Sequence, residues 1–285
     1  MIEVPKNLGG EKMKKRYQTR LTAWLVMAMF MVAISGFSIG TVNAYEVGVE
    51  WTNDYGFWYN DPDEGWIYLG DLSGCDDDST DFYNKLGNDG WSKDFNWGDT
   101  NAWEEDFKKE GLGGTDYNWI DEVDFALYSG HGSPTGFYFN NDHDDRKLRG
   151  IDAYHDAEWG DLDLEWITLD ACQVLNNTDE HGEWYERWGF DVFKGLHQIQ
   201  GFDTYTDDDA NRGEVFAGYM IDNEYTIKTS WFKACDDTAP QGVRAVVIGV
   251  CDEGYETWND HLWGHGSVAS DKTDPSCLFW AVHTV

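Results

Sequence analysis

Three stretches of this chain are apolar almost without a break, and they limit its fold more than any other feature. They are "IDEVDFALYSG" (120–130), "LEWITLDACQ" (164–173) and "VRAVVIGV" (243–250). Continuous apolar runs of this length suit strands covered on both faces, the interior of a sheet. Between and around them the spacing turns helical. Phe82, Tyr83 and Leu86 predict a helix over 78–91 that stops at Gly87, and Trp103 and Phe107 predict another over 100–109. Two more are expected over 181–196 and 210–221, with further strands at 45–51, 197–202 and 277–285. Strands alternating with helices imply right-handed crossovers, an α/β domain, and a mostly parallel central sheet with helices on both faces. Reactive groups in such sheets gather just beyond the carboxyl ends of the strands.

The first 44 residues read as an export signal rather than as fold, with Met13 as an alternative start. "MKKRYQTR" is basic, "LTAWLVMAMFMVAISGFSIG" is apolar, and "VNA" ending at Ala44 offers small residues for cleavage. A retained membrane anchor is the rival reading of the same stretch. Residues 45–285 then form a single domain, secreted or at the cell surface, with no membrane contact once the signal is removed. They carry 14 basic and 52 acidic residues, a formal charge of −38, which excludes nucleic acid and anionic membranes as partners. The whole chain has 16 Trp, 15 Tyr and 15 Phe, nearly all of them interleaved among these acids, and the composition is that of a folded chain. Calcium is the one ion the acidic runs suggest. "CDDD" (75–78), "NDHDD" (141–145) and "TDDDAN" (206–211) are the candidate ligands, none with EF-hand spacing.

Five cysteines lie in the exported part: Cys75, Cys172, Cys235, Cys251 and Cys277. An odd count leaves at least one thiol unpaired or bridged to another chain. Cys75, Cys235, Cys251 and Cys277 could pair in three ways, which makes Cys172 the natural odd thiol.

Two of the apolar runs end in chemistry. "SGHG" places His131 between Gly130 and Gly132, and "DAC" places Asp170 two residues before Cys172, 41 residues further on. A thiol and an imidazole at neighbouring strand ends make a nucleophile and a general base. A helix N-terminus after the cysteine would lower its pKa. Glycine next to the histidine lets a backbone amide approach a developing oxyanion, because no Cβ stands in the way.

"ALYSGHGS" followed by "ITLDACQV" resembles the histidine and cysteine blocks of the caspase-like cysteine peptidases, which include caspases, metacaspases, legumains and gingipains. The resemblance implies a three-layer caspase-like sandwich and an endopeptidase forming a thioester acyl-enzyme on a peptide or protein substrate. It makes His131 the base, Cys172 the nucleophile, and the amides of Gly132 and Cys172 the oxyanion donors. Asp170 becomes a selector for a basic substrate residue, as in the metacaspase pattern. No cofactor or catalytic metal is required. Asp170, Gln173 and Val174 depart from the family patterns, which leaves a catalytically inactive relative as the alternative.

Other readings are weaker. "WGHGSVASD" (263–271) repeats the motif around His265, with His261 four residues earlier, but it lacks a preceding strand and an HExxH glutamate. Ser129 lacks the glycine of a nucleophile elbow, Leu127 standing there instead. A non-catalytic alternative is a cell-surface or carbohydrate-binding module with Trp51, Trp58, Trp66, Trp91, Trp97 and Trp103 as stacking platforms.

Overall fold

The structure is a computed structural model that describes residues 2–5, 45–143, 145–150 and 156–285. Of the predicted export segment 1–44, residues 1 and 6–44 lie outside them, while residues 2–5 form a strand. In chain order the elements are β1 (Ile2–Pro5), β2 (Glu46–Trp51), a hairpin of β3 (Phe57–Asp61) and β4 (Gly65–Leu69), α1 (Cys75–Asp89), β5 (Ser92–Gly98) and β6 (Phe125–Gly130). A small sheet follows, of β7 (Gly132–Ser133), β8 (Gly136–Tyr138) and β9 (Lys147–Arg149). Then come β10 (Trp166–Ala171), the short pair β11 (Thr178–Asp179) and β12 (Gly182–Glu183), α2 (Trp184–Arg187), β13 (Gln198–Phe202), α3 (Arg212–Ile221), α4 (Ile227–Thr238), β14 (Arg244–Val250) and β15 (Cys277–Thr284).

The main sheet has eight strands in the order β1-β15-β14-β13-β10-β6-β2-β5. The run β5-β2-β6-β10-β13 is parallel throughout. β14, β15 and β1 extend it antiparallel. The sheet is therefore mostly parallel, as expected, and the apolar runs 120–130 and 164–173 supply its two adjacent central strands β6 and β10, every residue of which is buried.

The two faces are covered differently. α1, α3 and α4 share one face, where Phe82, Leu86, Phe216, Met220 and Trp231 pack on Val47, Val49, Phe125 and Leu127. Each such large apolar side chain contributes about 1.5–3 kcal/mol by leaving water. On the other face Phe107, Trp159, Trp188, Val192 and Phe193 cover Ala126, Tyr128, Ile167 and Leu169. This second layer is built from loops, 3-10 turns and the single turn of α2, so the expected helices on both faces become long helices on one face only.

The reasons are local. Ala102, Glu104, Asp106 and Phe107 are all buried. On an α-helix these positions would point in every direction, so the segment breaks into 3-10 turns at Asp99–Asn101 and Glu104–Asp106 instead of the predicted helix over 100–109. Of the predicted helix over 181–196 only Trp184–Arg187 forms. Beyond it the chain runs beside Trp159, whose N–H donates to Val192 O at 2.8 Å and whose carbonyl accepts from Lys194 N at 2.9 Å. α1 starts earlier than expected, passes through Gly87, and ends at the left-handed Gly90. α4 is an addition whose signal was present. Ile227, Trp231, Ala234 and Cys235 recur at helical spacing behind Thr226, whose hydroxyl accepts the Thr229 N–H.

One disulfide forms, Cys251–Cys277, joining the end of β14 to the start of β15. Cys75, Cys172 and Cys235 are free thiols. Cys75 and Cys235 are buried and Cys172 is partly exposed, so the odd thiol expected from sequence is one of three free thiols and the most accessible of them. Among the described residues no helix is long and apolar enough to cross a membrane.

Candidate active site

β6 and β10 lie side by side in parallel register, with Ser129 opposite Asp170 and Gly130 opposite Ala171. The next residue on each strand is His131 and Cys172. Both line one cavity of about 110 Å³ at the carboxyl ends of the strands. Adjacent strands are about 4.8 Å apart, so the register alone brings the imidazole and the thiol to one place. A third parallel strand, β13, sends its following loop over the same cavity, where Thr206, Asp207, Asp208 and Asp209 form the rim.

The two glycines flanking His131 are explained by close approach. A Cβ on Gly130 would lie 2.5 Å from Tyr128 Oη and 2.7 Å from Tyr55 Oη. A Cβ on Gly132 would lie 2.6 Å from the Cys172 carbonyl oxygen and 2.8 Å from Ala171 Cβ. The chain after the histidine thus runs directly against the backbone of the cysteine turn. Replacing Gly132 by alanine is expected to push this turn aside. A displacement near 1 Å at a reacting centre costs about a hundredfold in rate. The check is kcat/KM for an amide substrate, together with a melt showing that the fold persists.

His131 is held from three sides. Its Nε2 lies 2.8 Å from Gly70 O. A carbonyl only accepts, so Nε2 carries the proton and Nδ1 is the free basic nitrogen. The His131 N–H donates to Tyr55 Oη at 3.2 Å, and the Tyr55 ring lies 4.6 Å from the imidazole. Tyr55 is fixed in turn by donating to Tyr138 O at 2.7 Å. Burial pulls the imidazole below the usual 6.5, with the Gly70 bond opposing. At neutral pH it is an uncharged base.

Cys172 follows β10 in a turn whose next residue, Gln173, has a left-handed φ of 58°. The Cys172 Sγ accepts the Thr206 N–H and donates to Thr206 O, both at 3.4 Å. The helix expected to follow the cysteine and depress its pKa is absent. Burial instead pushes the thiol above the usual 9.0, with the Thr206 amide opposing. The resting pair is therefore neutral thiol and neutral imidazole.

Asp170 lines the cavity but is not free. Both its oxygens accept from Arg212 Nη1, at 2.7 and 2.9 Å, and Arg212 is itself almost fully buried. Arg212 also donates to Asp207 at 3.1 Å and to Thr238 Oγ1 at 3.1 Å. Behind this pair lies Asp78, fully buried, its carboxyl pushed well up by burial and then by Asp170, with Arg212 opposing. Its Oδ1 accepts the Gly213 N–H at 2.5 Å, tying α1 to α3. Asp208 joins the rim to α1, accepting from Gly74 N at 2.8 Å and from the Cys75 thiol at 3.4 Å.

Sequence reasoning found His131, Gly132, Asp170 and Cys172, and the structure brings all four together. It did not find Gly70, Tyr55, Thr206 or Arg212, which reach the cavity only through folding. The runs offered as calcium ligands take these places in the fold. "CDDD" is the first turn of α1, "TDDDAN" includes the cavity rim, and in "NDHDD" His143 pairs with Glu105 at 2.9 Å. Among the described residues, the carboxylates gathered within 4.8 Å of one another are Glu46, Asp124 and Asp163, at the amino ends of the strands. His265 lies against Asp89 at 2.7 Å, at the far end of the 15-residue α1. That is about 20 Å from the cavity where α1 begins.

Comparison with solved structures returns protein GSU0716 from Geobacter sulfurreducens, 14% identical, covering 67% of this chain and 87% of that chain with a TM-score of 0.36. No curated protein matches. The family model DUF6345, a domain of unknown function, matches residues 49–284. These residues take in β3 to β15, both strand ends and the whole cavity, and the chain belongs to the DUF6345 family.

Proposed function

We propose that this protein is a cysteine endopeptidase of caspase-like fold, exported from the cell, with His131 and Cys172 as its catalytic dyad. The observation that carries the reading is the β6–β10 register, which places histidine and cysteine one step beyond a paired Gly130 and Ala171 at one cavity. In the reaction His131 Nδ1 takes the Cys172 proton as sulfur attacks the substrate carbonyl. The amides of Gly132 and Cys172 face the resulting oxyanion. The imidazolium then protonates the leaving amine, and water, activated by the same imidazole, hydrolyses the thioester.

A preference for a basic residue beside the cleaved bond is supported by the rim. Asp170, Asp207, Asp208 and Asp209 line the cavity, while Arg212 reaches it only as the partner of Asp170 and Asp207. Because Asp170 and Asp207 are both paired with Arg212, the selecting charge comes chiefly from Asp208 and Asp209. The test is a set of fluorogenic peptide amides differing at the residue before the cleaved bond. Lysine or arginine there should be cleaved fastest, with an advantage that shrinks as salt screens the rim. Hydrolysis of none of them, or fastest cleavage after an acidic residue, contradicts the reading.

The pH profile follows from the two shifts. His131 must be neutral to act as base, and burial holds its pKa below 6.5. The acid limb of kcat/KM should therefore fall below 6.5. Cys172 reacts from its thiol by proton transfer, and its pKa lies above 9.0, so the plateau should extend past 9.0. A profile that instead rises through an acid limb above 6.5 would argue against this protonation state.

A second reading rests on the β3–β4 hairpin, whose outer face carries Trp58, Trp66 and Tyr68, 65%, 69% and 56% exposed. These rings favour the alternative of an aromatic-rich surface or carbohydrate-binding protein that has lost turnover. Trp91 is buried and does not contribute.

A further inference from the structure

A second cavity, of about 150 Å³, is lined by Trp97, Asn101, Trp103, Asp106 and Trp119. It is smaller than the roughly 300 Å³ or more of pockets for drug-sized ligands, so it suits one compact group. The segment that failed to become a helix builds it. Trp97 closes the edge strand β5, and the following 3-10 turns carry Asn101 and Asp106. Trp97 and Trp119 meet at 83° with ring centres 5.8 Å apart, forming a corner rather than a flat platform. Trp119 is braced edge-on by Phe95 at 5.9 Å. Trp103 is fixed by its Nε1–H donating to Thr100 O at 2.9 Å and by His143 lying flat on it at 4.0 Å.

The acid under these rings is built in. Asp106 is 3% exposed and accepts from Thr115 Oγ1 at 3.2 Å. It is hydrogen-bonded to the carboxyl of Glu50, which is fully buried and accepts the Trp103 N–H at 3.2 Å. Burial raises the Glu50 carboxyl well above the usual range and pushes Asp106 up to about 6, so Asp106 is the member of the pair that carries negative charge at neutral pH. Among the described residues, no lysine or arginine lines the cavity to answer that charge.

We propose that this cavity binds a quaternary or fully methylated ammonium group. Aromatic rings attract a cation through their quadrupole, most strongly for indole and where water is excluded. Methyl groups match the apolar walls. An unmethylated ammonium would need several acceptors, and here the Asp106 carboxyl is already engaged by Thr115 and Glu50. A sugar ring would need an open, flat aromatic face, which the right-angled Trp97 and Trp119 do not offer.

The test is calorimetric titration of the full chain with tetramethylammonium chloride at constant ionic strength. Its neutral counterpart, 3,3-dimethylbutanol, ammonium chloride and a methyl glucoside are titrated beside it. Saturable binding of tetramethylammonium, absent or at least tenfold weaker for the other three, is expected. Asp106→Asn and Trp103→Leu should each weaken it by about tenfold or more. Trp97→Leu, at the exposed edge, provides the same comparison should either buried variant fail to melt cooperatively. Equal binding of the neutral alcohol, preference for the glucoside, no saturable binding, or unchanged affinity in the folded variants would overturn the proposal.

Discussion

Cys172→Ala is expected to abolish amide hydrolysis while leaving the thermal melt close to that of the parent. The sulfur makes two contacts of 3.4 Å, both to the backbone of Thr206, in a partly exposed position. Its loss removes little packing and frees only an amide and a carbonyl on the cavity rim, a cost of about 1 kcal/mol. The chemical loss is far larger, because without a nucleophile no acyl-enzyme forms and only residual catalysis by binding and the oxyanion donors is left. His131→Ala should lower kcat/KM by about 10²–10⁴-fold. Both are read by the same fluorogenic assay. A Cys172→Ala variant that cleaved as fast as the parent would remove the mechanism whatever the fold.

The largest effect on stability should come from Arg212→Met. Arg212 is 1% exposed and bridges the buried Asp170, Asp207 and Thr238, with Asp78 behind. Methionine fills much of the volume but leaves Asp170 buried without a counter-charge. Removing one partner of a buried pair costs about 3–5 kcal/mol, a large share of a domain's stability. Urea unfolding should show the midpoint falling with little change in slope. The double variant Arg212→Met with Asp170→Asn should recover part of the loss, since it removes the stranded charge along with its partner. A single variant as stable as the parent would mean that Asp170 simply takes up a proton at no cost.

The central strands and the meeting of His131 and Cys172 at one cavity were legible because they depend on short-range pattern. The apolar runs ending in "SGHG" and "DAC" define β6 and β10, and their parallel register does the rest. The glycines could be read as close approach, although only the fold shows that Gly130 makes room for two tyrosine hydroxyls and Gly132 for the Cys172 backbone. What stayed hidden is whatever arrives from afar. Gly70 and Thr206 act through backbone atoms, which no residue type announces. Arg212 lies 42 residues from the Asp170 it neutralises, and nothing near "DAC" signals it.

The 100–109 and 181–196 segments misled for a single reason. Their aromatic spacing matched a helix, but in 100–109 the acids Glu104 and Asp106 are buried with Phe107, and in 181–196 Arg187, Val192 and Phe193 are buried with Trp184 and Trp188, more than a one-sided helix can satisfy. Glu50 and Asp106 stand behind the first failure, and the backbone pairing with Trp159 behind the second.

The most direct measurement is peptide mapping by mass spectrometry after limited iodoacetamide treatment, with amidase activity followed in the same samples. Modification of Cys172 in step with the loss of activity, slowed in His131→Ala and sparing the buried Cys75 and Cys235, is the predicted result. Full modification of Cys172 with activity intact, or activity lost while Cys172 remains unmodified, would contradict the account.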